Sequence, residues 1–384
     1  MNKPNINKKS RRAVVRLSRA YHKSFAREIL LVLIACAIAI SARADNRDRV
    51  LKVMTRNMDT GTDLGYIFSA TDQFSFLVAV TDTFQESHGS NIAERAAGVA
   101  AEIHDQQPDF VSLQELTRWR TGPPGDTPLT TGGPATLVVD DALQSLLTAL
   151  DSLGEHYDVI AVRQNGDDEA PAIFDASLRL FNVRLTDFDA VLARSDLPID
   201  ELKIENVQMN YFDAFLTLPT PVGPVALPRG WIAVDAKLRG KTYRVIDTHL
   251  EVLDPGVQAA QTQELLNGPA LSTNAVVIAG DLNSDADNPD PTLGPAYQIL
   301  LNAGFVDSWA IVHPGDPGYT IPLHLEDPYA PATPSRRIDL ILTRDGADAV
   351  AAFGSLRIGL TDLTPSGLFP SDHAGVVSSF VLEP

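Results

Sequence analysis

Ala275-Val276-Val277-Ile278-Ala279-Gly280-Asp281-Leu282-Asn283 decides how this chain is read. The five residues before Gly280 are wholly apolar, the pattern of a short strand with both faces buried. A buried strand does not end in Gly-Asp-x-Asn without a use for those polar groups, because a core cannot satisfy them. Glycine at 280 lets another stretch of backbone approach closely. The same construction recurs along the chain. Arg56-Asn57-Met58-Asp59, Gln114-Glu115, Thr248-His249-Leu250 and Ser371-Asp372-His373 each stand at the polar end of an apolar run, and Asp339 lies within Arg337-Ile338-Asp339-Leu340-Ile341-Leu342.

Short runs rich in Val, Ile, Leu and aromatics predict strands over 50–56, 109–114, 157–163, 172–181, 187–193, 208–217, 231–238, 242–248, 275–280, 337–343 and 375–382. Arg239-Gly240 between two of them predicts a tight hairpin. Helical periodicity predicts 93–105, 142–153, 255–266 and 295–303. In the second of these, Leu143, Leu146, Leu147 and Leu150 recur at the spacing of one buried face. Trp119 to Gly133, rich in Pro and Gly, reads as a long loop directly after Glu115. This mixture fits two packed sheets with helices on their outer faces. One domain is expected, because polar strand ends spread from Asn57 to His373 have to converge.

The chain carries 31 Lys+Arg against 49 Asp+Glu, but its first 44 residues hold ten basic residues and one acid, Glu28. Residues 1–28 are basic, Ile29 to Ile40 is an apolar run and Ser41-Ala42-Arg43-Ala44 is an Ala-x-Ala end. Residues 1–44 therefore read as a secretory signal peptide cleaved after Ala44, which leaves residues 45–384 as the domain and places it in the periplasm or outside the cell. The alternative is a lipoprotein anchored through Cys36, the only cysteine. The twelve apolar residues are short of the roughly 20 that span a bilayer. A body this acidic does not suit a broad basic surface for nucleic acid, although a local cationic groove would suffice.

In the order Asn57, Glu115, His249, Asp281-x-Asn283, Asp339, Asp372-His373, the polar strand ends resemble the endonuclease/exonuclease/phosphatase superfamily from about Val50 onward. The resemblance implies an α/β fold, a four-layer sandwich of two packed, mainly antiparallel sheets flanked by helices, with the site at one edge where strand ends meet. It implies that Glu115 is the principal metal ligand, that Asn57 helps position the metal or phosphate, and that Asp372 contributes to the metal site. Asp59 either joins that site or forms a turn beside Gly61. By the same resemblance Asp281 handles a proton or orients water, Asn283 donates to the phosphate, His373 contacts the phosphate or activates water, and Asp339 hydrogen-bonds His373. His249, in a Thr-His-Leu motif like that of sphingomyelinases and phosphatases, donates to a non-bridging oxygen or assists the leaving group. Abasic-site endonucleases do not follow that histidine pattern.

Phosphodiesters resist hydrolysis because attack puts charge on oxygens that are already anionic, and a divalent cation neutralises it. Hard oxygen ligands of this kind suit Mg²⁺, with Mn²⁺ or Ca²⁺ as alternatives. A single cysteine, no Gly-rich phosphate loop and no Gly-x-Ser-x-Gly elbow favour water as the nucleophile. The expected activity is a Mg-dependent phosphoester hydrolase acting on phospholipid head groups or small phosphate esters. The apolar stretch Tyr66 to Phe84 motivates this as a membrane-touching element, with an ordinary buried helix pair as the rival reading. An extracellular nuclease, with DNA or RNA as substrate only, is the alternative, and local charge around the cleft discriminates the two. A non-catalytic binding protein on the same fold would have lost a metal or histidine position, and this chain has lost none. A monomer is expected. Arg179, Arg184, Arg194 and Arg229 sit on or beside strands, where any could face a phosphate. His88, His104, His156, His313 and His324 read as structural or exposed.

Overall fold

A computed structural model describes residues 50–124, 134–288, 290, 292, 294–323, 333–346 and 349–383. The expected signal segment with Cys36, residues 125–133 and His324 lie outside the described residues. In chain order the strands are β1 (Val50–Asn57), β2 (Phe110–Gly122), β3 (Leu137–Asp141), β4 (Tyr157–Ile173), β5 (Leu180–Arg194), β6 (Leu202–Tyr211), β7 (Leu216–Thr220), β8 (Gly223–Leu227), β9 (Gly230–Leu238), β10 (Lys241–His249), β11 (Ala275–Asp281), β12 (Val306–Asp307), β13 (Asp339–Arg344), β14 (Ala349–Ile358) and β15 (Gly375–Glu383). The helices are α1 (Gly65–Phe68), α2 (Gln73–Gly89), α3 (Ile92–Gln106), α4 (Ala142–Leu153), α5 (Pro255–Asn267), α6 (Ala296–Asn302) and α7 (Ser308–Val312).

Sheet 1 has the order β14-β15-β1-β2-β5-β4, with β3 pairing β2, and sheet 2 the order β12-β13-β11-β10-β9-β6. The pairs β1–β2 and β10–β11 are parallel, and the other pairs resolved in register are antiparallel. Strand alternation divides the apolar residues between three layers of contact. Leu51 and Val53 of β1, Val234 of β9, Val277 and Ala279 of β11 and Phe380 of β15 fill the space between the sheets. Met54 and Leu113 turn to the other face of sheet 1, against Val99 and Ile103 of α3 and Leu146 and Leu150 of α4. Val276, Ile278 and Leu282 turn to the other face of sheet 2, against Leu265 of α5 and Leu300 of α6. The result is the expected four-layer sandwich. The run 275–279 is wholly apolar because β11 is an inner strand with both faces covered.

The predicted hairpin forms: Leu238 pairs Lys241 around Arg239-Gly240, both with positive φ (47° and 87°), as a two-residue turn matched to strand twist requires. Three expectations need correction. The run 172–181 is not one strand but the end of β4, a turn and the start of β5, in which Asp175 Oδ1 accepts the Ser177 N–H and Phe174 and Leu178 are exposed. Apolar composition there lies on a turn, where it cannot be told from strand pattern. Residues 208–217 likewise split between β6 and β7. The chain after Glu115 is not a loop until after Gly122, because β2 continues through Trp119 and pairs β5 and β3. Tyr66 to Phe84 forms α1 and most of α2, whose Phe76, Ala79 and Val80 are buried and whose Phe84 packs on Trp119 and Phe181. No helix among the described residues is long and apolar enough to cross a membrane.

Candidate active site

Parallel pairing brings strand ends to one edge of each sheet. In sheet 1, Asn57, the last residue of β1, is in register with Gln114. In sheet 2, His249 ends β10 opposite Asp281, which ends β11 and lies opposite Asp339, the first residue of antiparallel β13. Asp372 and His373 immediately precede β15. Gly280 makes the close parallel pairing possible, since a Cβ there would lie 2.0 Å from the Thr248 carbonyl oxygen.

Glu115 does not end its strand. It sits at a β-bulge between Leu113 and Leu116, with φ +55°, and the extra residue re-aims its carboxylate toward the edge. Asp59 (φ +59°) and Asn283 (φ +49°) also occupy the left-handed region, so three residues at this edge carry that backbone strain. The Asn57 amide donates to Glu115 Oε1 at 2.9 Å and to Asp281 Oδ2 at 3.1 Å, tying the two sheets together. Glu115 Oε2 accepts the Thr60 N–H at 3.0 Å. Asn283 gives its N–H to Asp281 Oδ1 and one side-chain hydrogen to the Leu250 carbonyl, leaving its other amide hydrogen for a ligand.

The two histidines face opposite partners. His373 Nδ1 lies 2.9 Å from Asp339 Oδ2, the pairing expected from the sequence, and its carbonyl accepts from Arg56, which Glu102 of α3 holds in a buried ion pair. Burial alone would lower the His373 pKa, but the charges of Asp339 and Asp372 outweigh it and hold the imidazole well above its ordinary value. His249 Nε2 lies 3.5 Å from Asp281 Oδ2 and 3.9 Å from Glu115 Oε1, while its Nδ1 lies 2.8 Å from Arg229 Nη1. Burial and then the Arg229 charge push His249 well below its ordinary value. Burial and the neighbouring Asp339 charge raise Asp281 to about 7, against the pull of His373.

The donor set fits a divalent cation. The carboxylates of Glu115 and Asp281 fall in one group of atoms within 4.8 Å of one another, beside His249, and those of Asp281 and Asp339 in another, beside His373. Burial raises Asp372, the Glu115 charge adds to it, and Asp59 reaches about 7 through burial and the Asp372 charge. Carboxylates that raise one another in this way form an anionic cluster short of positive charge, which a hard cation would supply. Asp59 is itself turned to the Gly61 N–H and to Arg95 of α3, so the turn reading applies to it as well as proximity to the site.

Of the four candidate arginines only Arg229 lines the cleft. Arg179, Arg184 and Arg194 pair with Asp175, Asp167 and Asp196. Arg95, which also donates to the Met58 and Pro370 carbonyls, was not legible in the sequence, because it reaches the site from the first turn of an ordinary amphipathic helix. None of His88, His104, His156 and His313 lines the cleft.

Comparison with known proteins bears on the fold and the family. The family model for the endonuclease/exonuclease/phosphatase family matches residues 86–373. No curated protein matches the chain in sequence. Among solved structures, an endonuclease/exonuclease/phosphatase family protein from Bacteroides thetaiotaomicron is 16% identical, with a TM-score of 0.54, covering 87% of this chain and 98% of that one. A mannosyl-6-phosphatase from the same organism is 16% identical with a TM-score of 0.51 over 86% and 99% of the two chains. D. rerio TDP2, complexed with a single-strand DNA product, is 18% identical with a TM-score of 0.50 over 87% and 99%. At these identities the structural likeness speaks for the fold, and the family model for membership: the chain belongs to the endonuclease/exonuclease/phosphatase family of hydrolases.

Proposed function

We propose that this protein hydrolyses a phosphate ester of a small molecule, a phospholipid head group included, with water as nucleophile and Mg²⁺ as cofactor. The observation that carries the reading is the charge of the cleft. It encloses about 730 Å³ between the 59–68 segment, β8 and residues 322–323. Its described lining residues include eight carboxylates and a single guanidinium, that of Arg229. A nucleic-acid strand is held by exchanging its counterions for Lys and Arg along the backbone, and the described residues of this cleft offer no such track. Because α2 buries Phe76, Ala79 and Val80 in the core, the lipid version rests on the cleft and not on a membrane-touching helix.

Glu115, Asp372 and Asn57 would hold the cation, which supplies neutralisation of the charge that builds on the phosphate. Asp281, raised to about 7, is suited to orient water and accept its proton near neutral pH. His373, held toward its charged form by Asp339 and Asp372, directs Nε2 toward Asp372 Oδ1, 3.8 Å away, as a hydrogen-bond donor. His249 directs Nε2 between Asp281 and Glu115, where a phosphate oxygen would meet it.

The test is a panel of DNA, RNA, sphingomyelin, inositol phosphates and a bis-aryl phosphate, each with Mg²⁺ and with EDTA. Turnover of a small ester with Mg²⁺ is expected. Faster cleavage of a DNA or RNA strand than of any small ester would replace this reading with the nuclease one. The reading includes a location outside the cytoplasm, free of lipid, supported by the Ala42-Arg43-Ala44 end of the apolar segment. N-terminal sequencing should then start at Asp45, and a lipidated Cys36 would make the protein membrane-anchored instead.

A further inference from the structure

The pairing of His249 with Arg229 decides where the imidazole carries its proton. A guanidinium is charged at any ordinary pH, has only N–H groups to offer and accepts nothing. Arg229 Nη1 lies 2.8 Å from His249 Nδ1, so that contact is a hydrogen bond only if Nδ1 presents a lone pair. A proton on Nδ1 would set two donors against each other in a place where the His249 side chain is 2% exposed and no water could separate them. The proton of the neutral ring is therefore on Nε2, the atom that faces the carboxylates of Asp281 and Glu115.

Arg229 is built into this position. Its carbonyl accepts the Phe212 N–H, and the next residue, Gly230, gives its carbonyl to the Thr248 hydroxyl, one residue before His249. A Cβ at Gly230 would lie 2.2 Å from the Asn210 carbonyl oxygen, so only glycine allows the strands to hold Arg229 in place. Asp187 Oδ2 lies 3.9 Å from the same Nη1 and offers the guanidinium a carboxylate partner.

We infer that Arg229 is a positioning residue that fixes His249 as the neutral Nε2–H tautomer, making His249 a hydrogen-bond donor to the substrate and not the acid that protonates the leaving group. An imidazole in that state has one proton to share, and giving it up would leave an anionic ring beside carboxylates. The leaving group's proton must come from elsewhere at the site. That the Nε2 hydrogen meets a phosphate oxygen rests on the phosphoesterase reading, whereas its place on Nε2 does not.

The test is a long-range proton–nitrogen correlation spectrum of metal-free, ¹⁵N-histidine-labelled protein, with the His249 signals identified by their loss in His249→Gln. Nδ1 should resonate as an unprotonated, pyridine-type nitrogen and Nε2 as a protonated, pyrrole-type one. Arg229→Met, which keeps the apolar stem, should move both toward the averaged values of exchanging tautomers, and Arg229→Lys should restore them. With an ester substrate found, kcat of Arg229→Met should fall by up to about 100-fold, the scale of losing one aligned donor, and Arg229→Lys should recover most of it. A protonated Nδ1 in the wild type, or a tautomer unmoved in Arg229→Met, overturns the assignment. If Arg229→Met does not fold, the wild-type spectrum decides alone. The spectrum needs no substrate, so an Nε2–H tautomer in a protein that hydrolyses no ester would support the tautomer and sink the phosphoesterase reading.

Discussion

The two sheets end at the same edge of the molecule but deliver different chemistry there. Sheet 1 brings Asn57 and the bulged Glu115, an amide and a carboxylate that is 22% exposed, held by a neighbouring N–H and reachable from solvent. Sheet 2 brings His249, Asp281 and Asp339, all buried, in consecutive register, with the first two pushed far from their ordinary pKa values. A ligand for an exchangeable ion has to stay accessible, whereas a proton-handling group is tuned by removal from water and by fixed neighbours. On the proposed reading, the sandwich would serve both needs by setting an irregular strand of one sheet against the ordered strand ends of the other.

Metal removal is the largest effect and tests the sheet 1 side. EDTA should abolish ester hydrolysis and added Mg²⁺ restore it, and full activity after exhaustive chelation would mean that Glu115 and Asn57 hold no catalytic cation. The next effect separates the sides. His249→Ala should lower kcat by about 100-fold to 1,000-fold at every Mg²⁺ concentration, the loss of one aligned donor, while Glu115→Gln should recover in part as Mg²⁺ is raised. If titrating the metal rescues both variants alike, the division between the sheets fails.

Within the buried half, Asp339 should act through His373, to which it is bonded at 2.9 Å. Asp339→Asn and His373→Ala should be strongly non-additive, with the double variant little slower than His373→Ala alone. Losses that multiply independently would make Asp339 a structural residue of β13. The smallest effect concerns how sheet 2 is held together away from the cleft. Arg244 donates from Nε and Nη2 to Asp235, its cross-strand partner in the β9–β10 hairpin, at 2.7 and 2.6 Å. Burial would raise the Asp235 pKa, but these bonds outweigh it and lower the pKa. The pair's contribution is therefore present above the unfolded aspartate pKa, about 3.9, and is lost as pH falls through the folded value. Asp235→Asn should cost about 1 kcal/mol at neutral pH and reduce the acid-dependent part of the loss in Tm. Equal Tm values for the two proteins from neutral to acid pH would remove the pair from the account.

The parts of the site legible in the sequence were those where a polar residue closes an apolar run: Asp281 after 275–279, His249 after 242–248, and Asp372-His373 before β15. A core strand has no partner to offer such groups, so their presence at its end marks an edge with a purpose. Glu115 was legible as a residue but not in its setting, because a bulge within a long strand leaves no local signature and 119–122 reads as the start of a loop. The left-handed backbone of Asp59, Glu115 and Asn283 was hidden for the same reason, as was Arg95, an arginine in a helix like any other.

Composition and pattern by themselves determined the layers, since burial of alternate or all strand residues is a local property of the chain, and resemblance to the family singled out the candidate ligands. Only the tertiary structure decided which groups meet. Parallel pairing sets His249 opposite Asp281 across 32 residues of chain, and the facing of the two sheets sets Asn57 against Asp281 over a separation of 224. It also chose Arg229 among four arginines on or beside strands, and with it the face of His249 that carries a lone pair. Hydrogen-bond direction and charge balance depend on neighbours a few ångströms away in space, and sequence order does not carry that distance.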